Sequence, residues 1–170
     1  MNKIITEYTK NNPHIKVDKI MFDSGGMKKV YYAEDTINKS QYVLKIVEIN
    51  NDITEKRTRR ELEILESLNS DYFPKIYDVA YYTDDEKNYI VILEQRINGA
   101  NLRNRMEKRR FSENESIQLC TQLIRALKII HKEGLVHRDI KPDNIMITDT
   151  NELVLFVFGI ARDLTDSSNF

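Results

Sequence analysis

The sequence predicts an α+β fold in which a small β-rich part with one helix is followed by a mainly helical part. Before about residue 95, short segments rich in Val, Ile and Tyr alternate with turns, which is typical of strands. After Gly99 the apolar residues recur at the spacing of a helix instead. With 41% hydrophobic and 31% charged residues among 170, the chain is also expected to bury a core.

Five strands and one helix are predicted in the β-rich part. Between the third and fourth strands, residues 53–69 carry leucines at helical spacing beside a strongly charged face, which predicts an amphipathic helix packed on the sheet. Those leucines are Leu62, Leu65 and Leu68. The predicted strands are residues 17–22, 29–34, 41–49, 76–82 and 89–94.

The helical part opens with a well-marked helix. Ser112 followed by Glu115 indicates a capping box at its start, and Gly134 can end it near residue 132. The apolar stripe of this predicted helix consists of Ile117, Cys120, Ile124, Leu127 and Ile130.

A polar segment at residues 96–101 would connect the two parts. We therefore expect a first domain over residues 1–95 and a second over residues 96–170. Ligands often bind in the cleft between two such domains, so the functional site is expected there.

The composition excludes several kinds of partner and location. The chain has 26 Lys and Arg residues and 27 Asp and Glu residues, so no overall field attracts it to nucleic acid or to an anionic membrane. Its single cysteine, Cys120, cannot form an internal disulfide, and the polar start lacks the apolar core of a signal peptide. No stretch approaches the roughly 18 apolar residues that cross a membrane. We therefore expect a cytoplasmic protein without a nucleic-acid or membrane partner.

The most specific motif is HRDIKPDN at residues 137–144, which follows the long predicted helix. It resembles the catalytic loop of the protein kinase family, and the resemblance implies a protein-kinase-like fold with a β-rich N-lobe and the start of a helical C-lobe. Transfer of a phosphoryl group to a hydroxyl requires a carboxylate that accepts the proton, a nearby cation and an oxygen ligand for the metal. By resemblance Asp139, Lys141 and Asn144 match these roles in order. A lysine two residues after the aspartate is the form seen in serine/threonine kinases.

A lysine also stands in an otherwise apolar segment, at the end of the Val-Leu-Lys sequence of residues 43–45 in the third predicted strand. Taken alone, such a residue is more often a solvated surface lysine than a ligand contact. By resemblance, however, Lys45 binds the phosphates of ATP and pairs with Glu61 on the following helix. Glu63 and Glu66 are alternatives, but Glu61 keeps the family's spacing to the leucines of the helix.

The turn between the first two strands resembles the phosphate-covering loop of the family only in part. The family has three glycines there, because backbone amides must approach the phosphates closely. Here Gly25 holds the middle position and Gly26 is an extra glycine, whereas Asp23 and Lys28 replace the first and third. An ordinary hairpin is the alternative interpretation.

Residues 89–94 resemble the strand that leads into the hinge of a kinase. The resemblance places Leu93 as the residue that guards the back pocket, and it implies that the backbone of Glu94 and Arg96 pairs with adenine. The apolar side chains that would sandwich the base are those of Val30, Val43 and Met146.

The sequence departs from the family at residues 157–159, where Val-Phe-Gly stands in place of Asp-Phe-Gly. In the family that aspartate holds magnesium, and Val157 has no metal-ligating atom. Only Asn144 remains as a metal ligand, so we expect weak or absent magnesium binding. The rate of transfer falls tenfold for about every 1.4 kcal/mol of lost transition-state stabilisation, so we expect impaired activity.

The resemblance ends at about residue 164, before the activation segment and the later helices of a kinase domain. A truncated serine/threonine kinase, a pseudokinase that binds a nucleotide or a protein, and a decaying gene fragment all stay open as interpretations. The intact catalytic loop disfavours the fragment, because random erosion would have altered it. We expect ATP and a protein substrate or regulatory protein as partners. We also expect a homo-oligomer through the exposed long helix.

Overall fold

A computed structural model describes residues 2–23, 28–68, 70–156 and 162–163 of the chain. The chain divides into two units. The first contains Met1–Lys56 and Lys75–Arg96, and the second contains Arg57–Pro74 and Ile97–Phe170.

The first unit is built on a five-stranded antiparallel sheet with the strand order β1-β2-β3-β5-β4. The five predicted strands are all confirmed, and a short helix that the sequence analysis did not predict precedes them. The elements are α1 Asn2–Asn11, β1 Ile15–Asp23, β2 Lys28–Asp35, β3 Gln41–Ile49, β4 Ile76–Asp84 and β5 Lys87–Gln95. The predicted helix after β3 is also confirmed, as α2 Asp52–Ser67, and its residues from Arg57 onward belong to the second unit.

The two faces of this sheet carry different side chains, because successive residues of a strand point to opposite faces. One face, here called the α1 face, packs against α1. Ile4 and Tyr8 of α1 are fully buried, and the Tyr8 hydroxyl donates a hydrogen bond of 2.9 Å to the Asp78 carboxylate. The residues of the sheet that join this cluster include Leu44, Ile46, Val91 and Leu93.

The second unit contains the long helix and two small sheets. A three-stranded sheet has the order β6-β8-β9, and β7 pairs with β10. The elements are β6 Gly99–Asn101, α3 Leu102–Lys108, α4 Glu113–Lys132, β7 Leu135–Val136, a 3-10 helix Pro142–Asn144, β8 Ile145–Thr148, β9 Leu153–Leu155 and β10 Arg162–Asp163.

Helix α4 begins and ends as the sequence predicts. The Ser112 hydroxyl accepts a hydrogen bond from the Glu115 amide, and the Glu115 carboxylate accepts one from the Ser112 amide, which completes the capping box. Gly134 follows the helix with a φ of 71°. The predicted apolar stripe is only partly covered: Ile130 is buried, whereas Ile124 is 66% exposed.

Gly99 allows β6 to approach β8 closely. A Cβ atom at this position would lie 2.2 Å from the Ile147 carbonyl oxygen, well inside van der Waals contact. The residue also has a φ of 158°, which side chains disfavour. Glycine is therefore required where the second unit's small sheet begins. Among the described residues, no helix is long and apolar enough to cross a membrane.

Candidate active site

Lys45 lies at the centre of β3, on the face of the sheet opposite to α1. Its neighbours in sequence, Leu44 and Ile46, point into the α1 face, so the lysine points the other way. We call this second side the Lys45 face. The register pairs Lys45 with Val30 of β2 and with Ile92 of β5. Lys45 is only 6% exposed. A charge buried to this degree requires an opposite charge or several hydrogen bonds.

The carboxylate of Glu94 contacts the Lys45 ammonium group. Glu94 is 2% exposed and pairs in register with Val43, two residues before Lys45 on β3. Glu94 and Lys45 are therefore diagonal neighbours on the Lys45 face, at a separation that long side chains bridge easily. The ion pair joins β3 to β5 within the first unit.

This register corrects one expectation from the sequence. Leu93 was expected to guard the back pocket, but its side chain lies in the α1 face with Leu44 and Val91. The strand position that neighbours Lys45 is occupied by Glu94 instead. The physical reason is the alternation of a strand, which puts Leu93 and Glu94 on opposite faces.

The other residues expected around the base are distributed over both units. Val30 and Val43 are buried on the Lys45 face. The guanidinium carbon of Arg96 lies 4.7 Å from the centre of the Tyr32 ring, a cation–π contact. Met146 belongs to the second unit, where it pairs in register with Val154. The roles of Glu94, Arg96 and these apolar residues toward adenine stay predictions.

Four other residues with an expected role are Glu61, Gly25, Gly26 and Val157. Glu61 is half-buried in α2, and its pairing with Lys45 stays a prediction. Gly25, Gly26 and Val157 lie outside the described residues.

In the second unit, Asp139, Lys141 and Asn144 lie together as a compact cluster. The Asn144 amide nitrogen donates to both the carbonyl oxygen and a carboxylate oxygen of Asp139, each at 2.8 Å. The Lys141 ammonium lies 2.8 Å from the same carboxylate oxygen. The 3-10 turn at Pro142–Asn144 brings Asn144 back to Asp139, and Asn144 is 4% exposed.

These contacts set the protonation of Asp139. The Lys141 ammonium and then the Asn144 amide hold the pKa of Asp139 below its ordinary value. The carboxylate is therefore ionised at neutral pH, and it can accept a hydrogen bond from a hydroxyl. Lys141 adds a cation beside it, which can stabilise negative charge that develops nearby.

His137 orients the backbone that carries Asp139, a role that the sequence analysis did not assign. Its side chain is 2% exposed, and its Nε2 lies 2.9 Å from the Phe156 carbonyl oxygen. The Asp139 amide donates to Nδ1 at 3.3 Å. Since a carbonyl only accepts, Nε2 carries the hydrogen and Nδ1 is the acceptor of a neutral ring. Burial lowers the pKa of His137, which agrees with that neutral form.

Asp143 ties the same loop to α3, a second feature that the sequence analysis did not single out. The Arg103 Nε donates to both carboxylate oxygens of Asp143, at 2.7 and 2.9 Å. The Asn101 side-chain amide donates to the Asp143 carbonyl at 2.7 Å and also caps α3 by accepting from the Arg103 amide. The start of α3 therefore holds the middle of the loop in place.

The residues present fit a magnesium ion poorly. Magnesium prefers near-octahedral oxygen ligands. The amide nitrogen of Asn144 donates a hydrogen bond to Asp139. The amide oxygen of Asn144 is therefore the atom of this side chain that could bind a metal. Within the described ranges, no three His, Cys, Asp or Glu side chains are grouped so that they could hold a metal. The sequence has valine at position 157, and valine has no atom that can bind a metal.

Comparison with known proteins agrees with the motifs of this site. The family described as the protein kinase domain matches residues 21–170. A probable serine/threonine-protein kinase of Streptomyces coelicolor is 31% identical over 147 residues, which cover 84% of this chain and 22% of the relative.

Two further relatives are both described as probable serine/threonine-protein kinase PknB. The protein of Corynebacterium glutamicum is 32% identical over 150 residues, which cover 86% of this chain and 23% of the relative. The protein of Bifidobacterium longum is 33% identical over 153 residues, which cover 85% of this chain and 22% of the relative. The chain thus spans less than a quarter of the length of these relatives.

Proposed function

The chain belongs to the protein kinase family, and on that premise we propose that it binds ATP as a serine/threonine kinase domain whose phosphoryl transfer is impaired. The observation that carries the proposal is the arrangement of Asp139, Lys141 and Asn144. An ionised carboxylate held by a lysine and an amide is suited to orient a protein hydroxyl and to accept its proton.

Lys45 supplies the contact to the nucleotide in this proposal. A lysine ammonium is a compact cation that attracts phosphate oxygens. Its backbone is fixed in the middle strand of the sheet, between β2 and β5, so the position of the cation is well defined. Glu61, Val30, Val43, Met146 and the backbone of Glu94 and Arg96 complete the proposed ATP contacts.

The impairment follows from Val157. Magnesium would neutralise charge on the phosphates when bound, and Asn144 is the remaining residue of this chain that would hold it. A valine in place of the aspartate offers no oxygen ligand, so the chain is expected to bind ATP with little help from magnesium.

A second candidate function is favoured by the same substitution. A pseudokinase would retain nucleotide or protein binding without transfer, and it would need Lys45 but not a metal ligand at position 157. In either case we propose a cytoplasmic location and a protein as substrate or partner.

The test is ATP binding by the 170-residue chain and its Lys45→Met variant, measured by thermal shift. We expect ATP to raise the melting temperature of the chain, because a ligand that binds only the folded state stabilises it. The shift should be much smaller in Lys45→Met. Lys87→Met is the matched control, since Lys87 lies in the same sheet but 58% exposed. Equal ATP shifts in all three proteins would contradict the role of Lys45, and no shift in the chain itself would contradict ATP binding.

A further inference from the structure

Glu94 places a second charge beside the lysine that the proposed function assigns to the phosphates. We infer that Glu94 is a built-in counter-ion of Lys45 with which the phosphates of a nucleotide must compete, so that Glu94 sets the affinity for ATP. The predicted effect on ATP affinity rests on the proposed function, whereas the ion pair itself can be tested without a nucleotide.

The surroundings of the pair make the carboxylate unusual. The residues next to it on the Lys45 face are apolar, with Val43 at 8% and Ile92 at 5% exposure. An apolar side chain at position 94 would match these neighbours, and burying an unneeded charge is costly. The acid at this position is therefore explained by its contact with Lys45 and not by packing.

The consequence for a polyphosphate follows from charge. A lysine that is already in contact with a carboxylate attracts phosphate oxygens less, because the two charges nearly cancel at a distance. Lys45 and Glu94 are both buried, and charges interact more strongly in such surroundings than in water. The carboxylate also repels the phosphates directly. Competition at Lys45 is thus large enough to change ATP affinity by at least tenfold.

The first arm of the test compares ATP with adenosine. Glu94→Gln keeps the size of the side chain and an acceptor oxygen for Lys45, but it removes the charge. We expect the variant to bind ATP at least about tenfold more tightly by isothermal titration calorimetry. Adenosine, which has no phosphate, should bind equally well to both proteins.

Two further variants serve as a control and as a replacement for Glu94→Gln. Glu48→Gln removes an acid from the same strand as Lys45, where Glu48 pairs with Lys87 at 2.8 Å, and should leave ATP affinity unchanged. If Glu94→Gln does not fold, Glu94→Leu takes its place in the comparison of ATP with adenosine, because a leucine matches the apolar neighbours. Unchanged or weaker ATP binding, or an equal gain for adenosine, would overturn the inference.

The second arm needs no nucleotide. In a double-mutant cycle of Lys45→Met and Glu94→Gln, the melting temperature of the double variant should fall less than the sum of the two single changes. Either single change already removes the Lys45–Glu94 ion pair, so the second change has less left to disrupt. Additive changes would overturn the ion pair itself. If the cycle shows coupling but no protein binds ATP or adenosine, the proposed function fails and the effect on affinity fails with it, while the ion pair stands.

Discussion

At the residue scale, His137 shows how a buried side chain can hold the backbone of a nearby residue, Asp139, in position. It joins the Asp139 backbone to the Phe156 carbonyl oxygen through the two ring nitrogens. This bridge works only for the neutral ring, because a protonated Nδ1 cannot accept a hydrogen bond. His137 is therefore a positioning residue, and its protonation state is coupled to folding.

That coupling predicts a pH dependence. Burial lowers the folded-state pKa of His137 from its ordinary value of 6.5. Its contribution to stability is therefore fully present above pH 6.5 and is lost as the pH falls through the folded-state pKa. We expect the free energy of unfolding to decrease as the pH falls below 6.5. Urea denaturation across this range measures it.

The control for this prediction uses a second histidine. His131→Gln changes an exposed residue at the end of α4 and should keep the pH dependence. His137→Gln should lower stability at neutral pH and flatten the dependence. An unchanged slope in His137→Gln would show that another group is responsible.

The same scale explains why one site residue was misplaced from sequence. Residues 89–94 are apolar up to the last position, because both faces of β5 are buried. A strand buried on both faces gives no period-two signal, so the sequence does not show which residue shares a face with Lys45. By contrast, the cluster of Asp139, Lys141 and Asn144 was predictable, because its contacts are local.

At the scale of elements, the predictable helices are those with local end signals. The start of α4 was predictable because the capping box depends on Ser112 and Glu115 alone. Helix α1 was missed because it is 10 residues long, marginal by itself, and depends on packing against a distant sheet. Its signal was the pair Ile4 and Tyr8, one turn apart, and the family match begins only at residue 21.

Helix α4 also carries a prediction about assembly. Ile117 is 56% and Ile124 is 66% exposed, and they lie two turns apart on one side of the helix. Burying such a side chain is worth roughly 1.5 to 3 kcal/mol. We expect the chain to self-associate through this side, with a mean mass by light scattering that rises with concentration.

Two variants of α4 test this assignment. Leu127 is already half-buried, whereas Ile124 is exposed, so Ile124 is the better position to test. Ile124→Glu should shift the protein toward monomer. Gln118→Glu adds the same charge at an exposed polar position and should not. A monomer at every concentration would contradict the prediction.

At the scale of the whole molecule, the chain combines the contacts around Asp139 with a valine at position 157. The contacts of Asp139 form within the second unit and the contact of Lys45 with Glu94 forms within the first. The valine at position 157 has no metal-ligating atom. We therefore expect a domain that retains nucleotide binding while losing the contribution of the metal.

The most direct test of that claim is the effect of magnesium on ATP affinity, measured by calorimetry for the chain and for Val157→Asp. We expect magnesium to change the affinity of the chain little, and to tighten binding by Val157→Asp about tenfold or more, since a carboxylate is a preferred magnesium ligand. A strong magnesium dependence in the unaltered chain, equal to that of Val157→Asp, would contradict the proposed loss of the metal's contribution.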